Sequence, residues 1–322
     1  MCPLCTTPLC LLIEDLFDDR YGAPGHYSIY QCSKCGFGRI RPALKEKEIG
    51  QFYAKYYPLS SATPQSVINS VQHMSQLRAW WLGVDSVAHH YIKPMESVLD
   101  IGSASGVSLL EIEKLGGKAY GVEPDPTAAK IAKKLGLRVF TGFITDNPFP
   151  KIKFDAITAS QVVEHTPDPI MFLKSVHTKL KDGGYVVLTF PNLDACYRRI
   201  WGRYWIHWHV PYHFNFFTRK SFITLANQAG FRVVKIRTIT PNLWSAIQLQ
   251  MFVHKAKIGK MHPLWAKQHA GRIKNGKKIS FFERLFQFIL MRIFLIIVAP
   301  LNRFIDFLGQ GESFIVWLKK DD

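Results

Sequence analysis

The strongest constraint on the fold is an alternation that runs from residue 96 to residue 240. Short apolar runs at 97–101, 118–122, 137–140, 154–159, 184–190 and 231–240 are separated by helix-patterned stretches near 105–115, 126–135, 168–180 and 219–229. The runs have the length of buried strands, and the intervening helices are long enough to carry the chain back to start a parallel neighbour. The expectation is an α/β fold built on a doubly wound, Rossmann-like sheet, with ligands beyond the carboxyl ends of its strands.

The first strand–turn–helix–strand unit reads VLDIGSASGVSLLEIEKLGGKAYGVEPDP, Val98 to Pro126. A dinucleotide fingerprint would place glycines at 102, 104 and 107, but those positions hold Gly102, Ala104 and Val107. The turn is instead Asp100-x-Gly102-x-x-x-Gly106, and an acidic side chain at its head suits a cationic ligand better than a pyrophosphate. Glu123 ends the second strand, where a carboxylate can accept both hydroxyls of a ribose.

These residues, with FDAITASQVVEHTPDP and GGYVVLTFPN further on, resemble the ordered motifs of class I S-adenosylmethionine-dependent methyltransferases over roughly residues 96–240. The resemblance implies that Asp100 and the turn Gly102, Ser103 and Gly106 hold the amino acid end of the cofactor. By the same resemblance Glu123 holds the ribose, Gly142 and Phe143 lie near the adenine, and Ser160 and Gln161 line the methionine side. It also implies that the strands 231–240 and 311–320 form an antiparallel pair, so that one strand of the sheet runs against the rest. Ala104 departs from the glycine usual at the centre of the turn.

QVVEHTPDP resembles the loop of ubiquinone-biosynthesis-type O-methyltransferases, some of which bind a metal through Glu-x-x-Glu-His. Here Gln161 replaces the first glutamate, leaving Glu164 and His165, and a lost carboxylate weakens a hard-cation site. Methyl transfer needs an aligned acceptor and, for many acceptors, a base. His165 leads as that base, followed by His209 and His213 in the aromatic segment WIHWHVPYHFNFFT.

Two CxxC pairs, Cys2/Cys5 and Cys32/Cys35, stand 26 residues apart at the start of the chain. Four thiolates at this spacing close a tetrahedron around one structural zinc ion, the plan of a zinc ribbon. Such a site has no open coordination position, so it is expected to hold the fold rather than to catalyse. A four-cysteine module ahead of this domain resembles bacterial methyltransferases of nucleotide sugars, glycans and cell-surface precursors.

The sequence thus divides into a zinc module at 1–42, a helical linker at 43–95, the methyltransferase domain at 96–244 with 309–322, and a helical insertion at 245–308. In the linker, residues 67–93 read as one long helix stopping before Pro94, and Tyr53, Tyr56, Tyr57, Trp80 and Trp81 could roof a pocket. The net charge is +17, and residues 241–322 supply 13 basic against 5 acidic side chains. Nine of those basic residues fall between Lys255 and Arg284, beside the apolar run FFERLFQFILMRIFLIIVAPLNRFIDFLG.

Gln287, Arg292 and Pro300 interrupt that run, leaving it short of the roughly 20 residues of a membrane span. It reads as an interfacial element beside a basic stretch that favours anionic lipid. The opening MCPLCTTPLC has no basic region followed by an apolar core, so a cytoplasmic protein touching the membrane face is expected, with a small-molecule, glycan or lipid-linked acceptor. A zinc-containing RNA methyltransferase and a non-catalytic cofactor-binding adaptor are the alternatives. Nucleic acid is the less favoured partner, because the cysteine module and linker carry a net charge of only +2 and the strand motif ends FPN.

Overall fold

The computed structural model describes residues 1–44, 49, 50, 52, 55, 56, 62–71, 75–265 and 296–321. Seven strands form the central sheet: β4 (Ser97–Ile101), β5 (Lys118–Glu123), β6 (Val139–Thr141), β7 (Phe154–Ser160), β8 (Leu180–Pro191), β10 (Phe231–Ile239) and β11 (Ser313–Lys320). Their order is β10-β11-β8-β7-β4-β5-β6. β11 pairs antiparallel with both β8 and β10, while the β4, β5, β6, β7 and β8 pairings are parallel. This is the α/β sheet with one reversed strand that the sequence leads one to expect.

The crossover helices start where the sequence supplies caps. Asp125 accepts the Thr127 N–H ahead of Pro126, and Asp168 accepts those of Ile170 and Met171 ahead of Pro169. Each satisfies backbone donors that the first helical turn leaves open, and each proline occupies a position where no N–H is needed. The central strands β4, β7 and β8 are buried on both faces, with Val98 and Leu99, Ala156 and Ile157, and Val186 and Val187 all fully enclosed.

A second sheet of four strands has the order β1-β2-β3-β9. It comprises β1 (Leu9–Leu16), β2 (Tyr27–Cys32), β3 (Gly38–Arg41) and β9 (Asn215–Phe216). Because β9 follows β8 in the chain, the cysteine segment completes its sheet with a strand of the methyltransferase domain. Cys2, Cys32, Cys35 and Phe37 also share one buried cluster with Phe190, Phe217 and Phe222. The two segments therefore pack as one body along this seam.

The single helix expected over 67–93 is not what the structure shows. The structure has separate helices at Pro64–Ser70 and Gln76–Leu82, then single turns at Val84–Ser86 and Ala88–Tyr91. Ser75 starts the second helix with a side-chain cap, and Gly83 ends it in the left-handed region at φ 72°. A Cβ on Gly83 would come within 2.5 Å of the Thr240 carbonyl oxygen, so the chain must turn there against β10. The apolar periodicity continues through this cap, which is why it reads as one helix.

Residues 266–295 of the insertion, and Tyr53 and Tyr57 of the linker, lie outside the described residues. The helical residues 296–307 bury polar side chains beside the apolar Ala299 and Ile305. Asn302 and Arg303 are buried, whereas Ile297, Leu301 and Phe304 are 64%, 48% and 59% exposed. The inward polar groups are satisfied: Asn302 accepts from Tyr197 Oη and donates to Asn242, and Arg303 donates to the Trp80 and Thr240 carbonyls and pairs with Asp306. No described helix is long and apolar enough to cross a membrane.

Candidate active site

β4 ends at Asp100 and Ile101, and the chain reverses through Gly102 (φ 77°) and Gly106 (φ 97°) before the helix Val107–Lys114. A side chain at 102 would meet Val162 Cγ2 at 2.7 Å, and one at 106 would meet Leu137 Cδ1 at 2.5 Å. Both conformation and space therefore require glycine. Ala104 also takes positive φ, at 46°, storing local strain of roughly 1 kcal/mol in the position where glycine is usual. Its N–H donates to Glu123 Oε2 at 2.8 Å, so the strained turn is tied to the end of β5.

Asp100 is buried, and its two oxygens accept Thr158 Oγ1 and Ser108 Oγ at 2.6 Å each. Burial raises its pKa against the opposing pull of His89 and the two hydroxyls. Glu123 is nearly buried; burial raises its pKa too, while the N–H groups of Asp125 and Ala104 oppose the rise. Two carboxylates thus stand at the ends of adjacent parallel strands, each held by hydrogen bonds that fix its direction.

Beside them lies a cavity of about 440 Å³, within the range of small-molecule sites, lined in part by Asp100, Gly102, Ser103, Ala104, Ser108 and Ser160. The buried Ser103 hydroxyl has no hydrogen-bond partner among the described residues. Of the expected cofactor set, Asp100, Gly102, Ser103 and Ser160 border this space. Gly106, Glu123, Gly142, Phe143 and Gln161 do not line it. Gly142 nevertheless adjoins Glu123, donating its N–H to the Glu123 carbonyl at 3.0 Å, and Phe143 is 59% exposed just beyond it. Gln161, at φ 56°, turns the chain off β7.

The sequence reading missed part of the wall. His89, His90 and Glu111 line the same cavity, and His89 Nε2 lies 2.7 Å from Glu111 Oε2. The paired histidines were visible in the linker, but nothing local connected them to a glutamate on the helix after the glycine turn.

The three histidines singled out as candidate bases converge. His165, in the turn Val163–His165 after β7, meets His209 and His213 from the segment between β8 and β9, and the three side chains offer nitrogens within 4.8 Å of one another. His165 Nδ1 donates to the Tyr212 carbonyl and His213 Nδ1 to the His207 carbonyl, both at 2.9 Å. Each bond fixes a tautomer whose Nε2 carries a lone pair. Burial lowers all three pKa values, that of His165 to about 4, so the imidazoles are neutral at pH 7. The neighbouring Glu164 is fully enclosed, and burial pushes its carboxyl up to about 8. His207 lies apart, 3.3 Å from Glu312.

The four cysteines also converge. Cys2 and Cys35 sulfurs are 3.5 Å apart, those of Cys5 and Cys32 are 3.3 Å apart, and all four fall within 4.8 Å of one another. Two Zn–S bonds of about 2.3 Å at the tetrahedral angle span ~3.8 Å, so the donor set and its spacing fit one zinc ion after small adjustment. Cys10 and Cys196 take no part.

Comparison with known proteins places this arrangement. The methyltransferase domain family matches residues 72–236, half of the chain. The ubiquinone biosynthesis O-methyltransferase of Cupriavidus pinatubonensis is 24% identical over 198 residues, covering 57% of this chain and 77% of that protein. Its counterpart from Bradyrhizobium diazoefficiens is 34% identical over 100 residues, 30% of this chain and 40% of that one. The solved [4+2]-cyclase SpnF shares the fold with a TM-score of 0.51 at 15% identity, over 87% of this chain and 97% of its own. That neighbour's name shows that the fold alone does not fix the reaction. The matched family, together with an acidic carboxyl edge around a glycine turn, settles the point: the chain belongs to the methyltransferase domain family, as a class I, S-adenosylmethionine-dependent member.

Proposed function

We propose that the protein methylates a small-molecule, glycan or lipid-linked acceptor at the membrane face, with S-adenosylmethionine bound along the edge from Asp100 to Glu123. The observation that carries this reading is the pair of buried, hydrogen-bonded carboxylates flanking the glycine turn beside the 440 Å³ cavity. Asp100 and the Gly102–Gly106 turn, with Ser103, would hold the amino acid end, and Glu123 the ribose hydroxyls. Gly142 and Phe143 would border the adenine, and Ser160 and Gln161 the methionine side. The cofactor, when bound, supplies an electrophilic methyl group on sulfur. The chain's own task is to align the acceptor, exclude water and accept a proton where the acceptor has one to lose.

The histidines stand at the carboxyl ends of β7 and β8, the side of the sheet on which that acceptor would sit. With no ion on their ring nitrogens, His165, His209 and His213 are neutral there and so able to accept a proton or hydrogen bond. The cysteine cluster would hold a structural zinc ion, stiffening the sheet that β9 completes. The outward apolar side chains Ile297, Leu301 and Phe304 would rest on lipid, because they leave apolar area in contact with whatever surrounds the protein.

The test supplies methyl-labelled S-adenosylmethionine and host extract, then separates organic from aqueous products. Label in the organic phase supports a lipid-linked acceptor, and ribonuclease-resistant aqueous label supports a soluble sugar or small molecule. Ribonuclease-sensitive label would transfer the reading to an RNA methyltransferase. No label in any fraction, with the cofactor bound, would favour an adaptor without catalysis.

A further inference from the structure

We propose that His165, His209 and His213 form a binding site for a divalent transition metal of the zinc class. His209 Nδ1 and His213 Nε2 are 3.3 Å apart. Two Zn–N bonds of 2.0–2.1 Å at the tetrahedral angle span about 3.3 Å, so these nitrogens already stand as neighbouring ligands would. The rings meet edge to face rather than stacked, with interplanar angles of 85°, 76° and 87°. That arrangement lets nitrogens converge on one point from different directions.

The surroundings are those of a ligand set. His165 and His213 each donate the far nitrogen to a backbone carbonyl, the contact that fixes tautomer and ring direction in metal-bound histidine. His209 and His213 are each only 5% exposed, so the rings cannot swing away. Three imidazole nitrogens suit zinc, cobalt or nickel rather than the hard cations that a carboxylate pair would take. The site is therefore different in chemistry from the Glu-x-x-Glu-His arrangement that Gln161 interrupts.

Among the described residues the donors number three, and a tetrahedral ion takes a fourth ligand. His209 also lines a smaller cavity of about 190 Å³, bordered by Asp15, Arg203, Trp208 and Lys255. An exogenous oxygen ligand could reach the ion by that route. Arg20 lies close enough to lower the basicity of all three rings, and it opposes a bare cation. The same guanidinium would favour an ion carrying an anionic oxygen ligand. The metal assignment stands on the histidine geometry alone; only the idea that this oxygen belongs to the methyl acceptor rests on the methyltransferase reading.

The experiment titrates metal-free, full-length protein with Co²⁺ and follows its absorption spectrum, without S-adenosylmethionine. Two equivalents are expected. One gives the intense near-ultraviolet band of cobalt bound to thiolate, and the other gives visible bands alone. His213→Gln and, separately, His209→Asn should each remove the second equivalent and keep the thiolate band, which also reports that the variant is folded. A wild type that binds cobalt only with the thiolate signature, or variants that retain the second equivalent, would overturn the proposal. Neither result depends on methyl transfer, so the methyltransferase reading stands or falls separately.

Discussion

The cysteine and histidine clusters are two answers to the same problem of enclosing soft or borderline donors. The cysteines come from two short repeats near the start of the chain, bring four sulfurs together and sit against the core shared with Phe37 and Phe217. The histidines come from positions 165, 209 and 213, use three nitrogens and open toward a cavity through His209. Closure suits a cluster that holds the fold, and an open position suits one that holds a ligand. Substitutions should therefore separate stability from chemistry.

The largest effect is expected at the closed cluster. Cys35→Ser should lower unfolding stability by at least ~3 kcal/mol, as loss of a structural metal does, and chelation of the wild type should reproduce it. Thermal denaturation with metal content measured alongside checks this; an unchanged midpoint would remove the structural role. At the open cluster, His165→Gln should cut kcat/KM by about 100-fold, while cofactor affinity stays within about threefold. Equal loss of affinity would mean that the histidines belong to the cofactor site instead.

A smaller effect tests the far end of the sheet, remote from both clusters. Burial alone would raise the Asp155 carboxyl, but hydrogen bonds from Lys181 and Ser97 outweigh it and hold its pKa at about 2. A depressed pKa contributes stability above the unfolded value near 3.9 and loses it as pH falls toward 2. Asp155→Asn should cost under about 1 kcal/mol at pH 6, because the pair is half exposed, and the gap should close at pH 2. Denaturant midpoints at the two pH values give the answer. Smallest of all, Ala104→Gly should change stability by less than about 1 kcal/mol in either direction, because relief of positive φ is offset by a more flexible unfolded chain. A calorimetric scan that moved by several degrees would show that the turn carries more strain than its φ implies.

The same contrast explains what could be read in advance. The strands at 97–101, 118–122 and 154–159 match β4, β5 and β7 closely, because a strand buried on both faces writes a continuous apolar run. The cysteine cluster was legible because the spacing within each CxxC pair is local. β9 was not, since its two residues, Asn215 and Phe216, become a strand only by pairing with β3. The hydroxyls of Ser108 and Thr158 that hold Asp100 also gave no signal, being ordinary residues until the fold sets them 2.6 Å from the carboxylate. His165, His209 and His213 were each visible, but their meeting depends on how two loops at the carboxyl edge of the sheet cross.

The most direct test of the cofactor edge is calorimetric titration of S-adenosylmethionine into the wild type and Glu123→Ala, with folding checked by circular dichroism. If Glu123 accepts both ribose hydroxyls, its loss should weaken binding by about 100-fold, the equivalent of two charge-assisted hydrogen bonds. A folded Glu123→Ala protein that binds S-adenosylmethionine as tightly as the wild type would contradict the assignment of the ribose site, and with it the placement of the cofactor along β4 and β5.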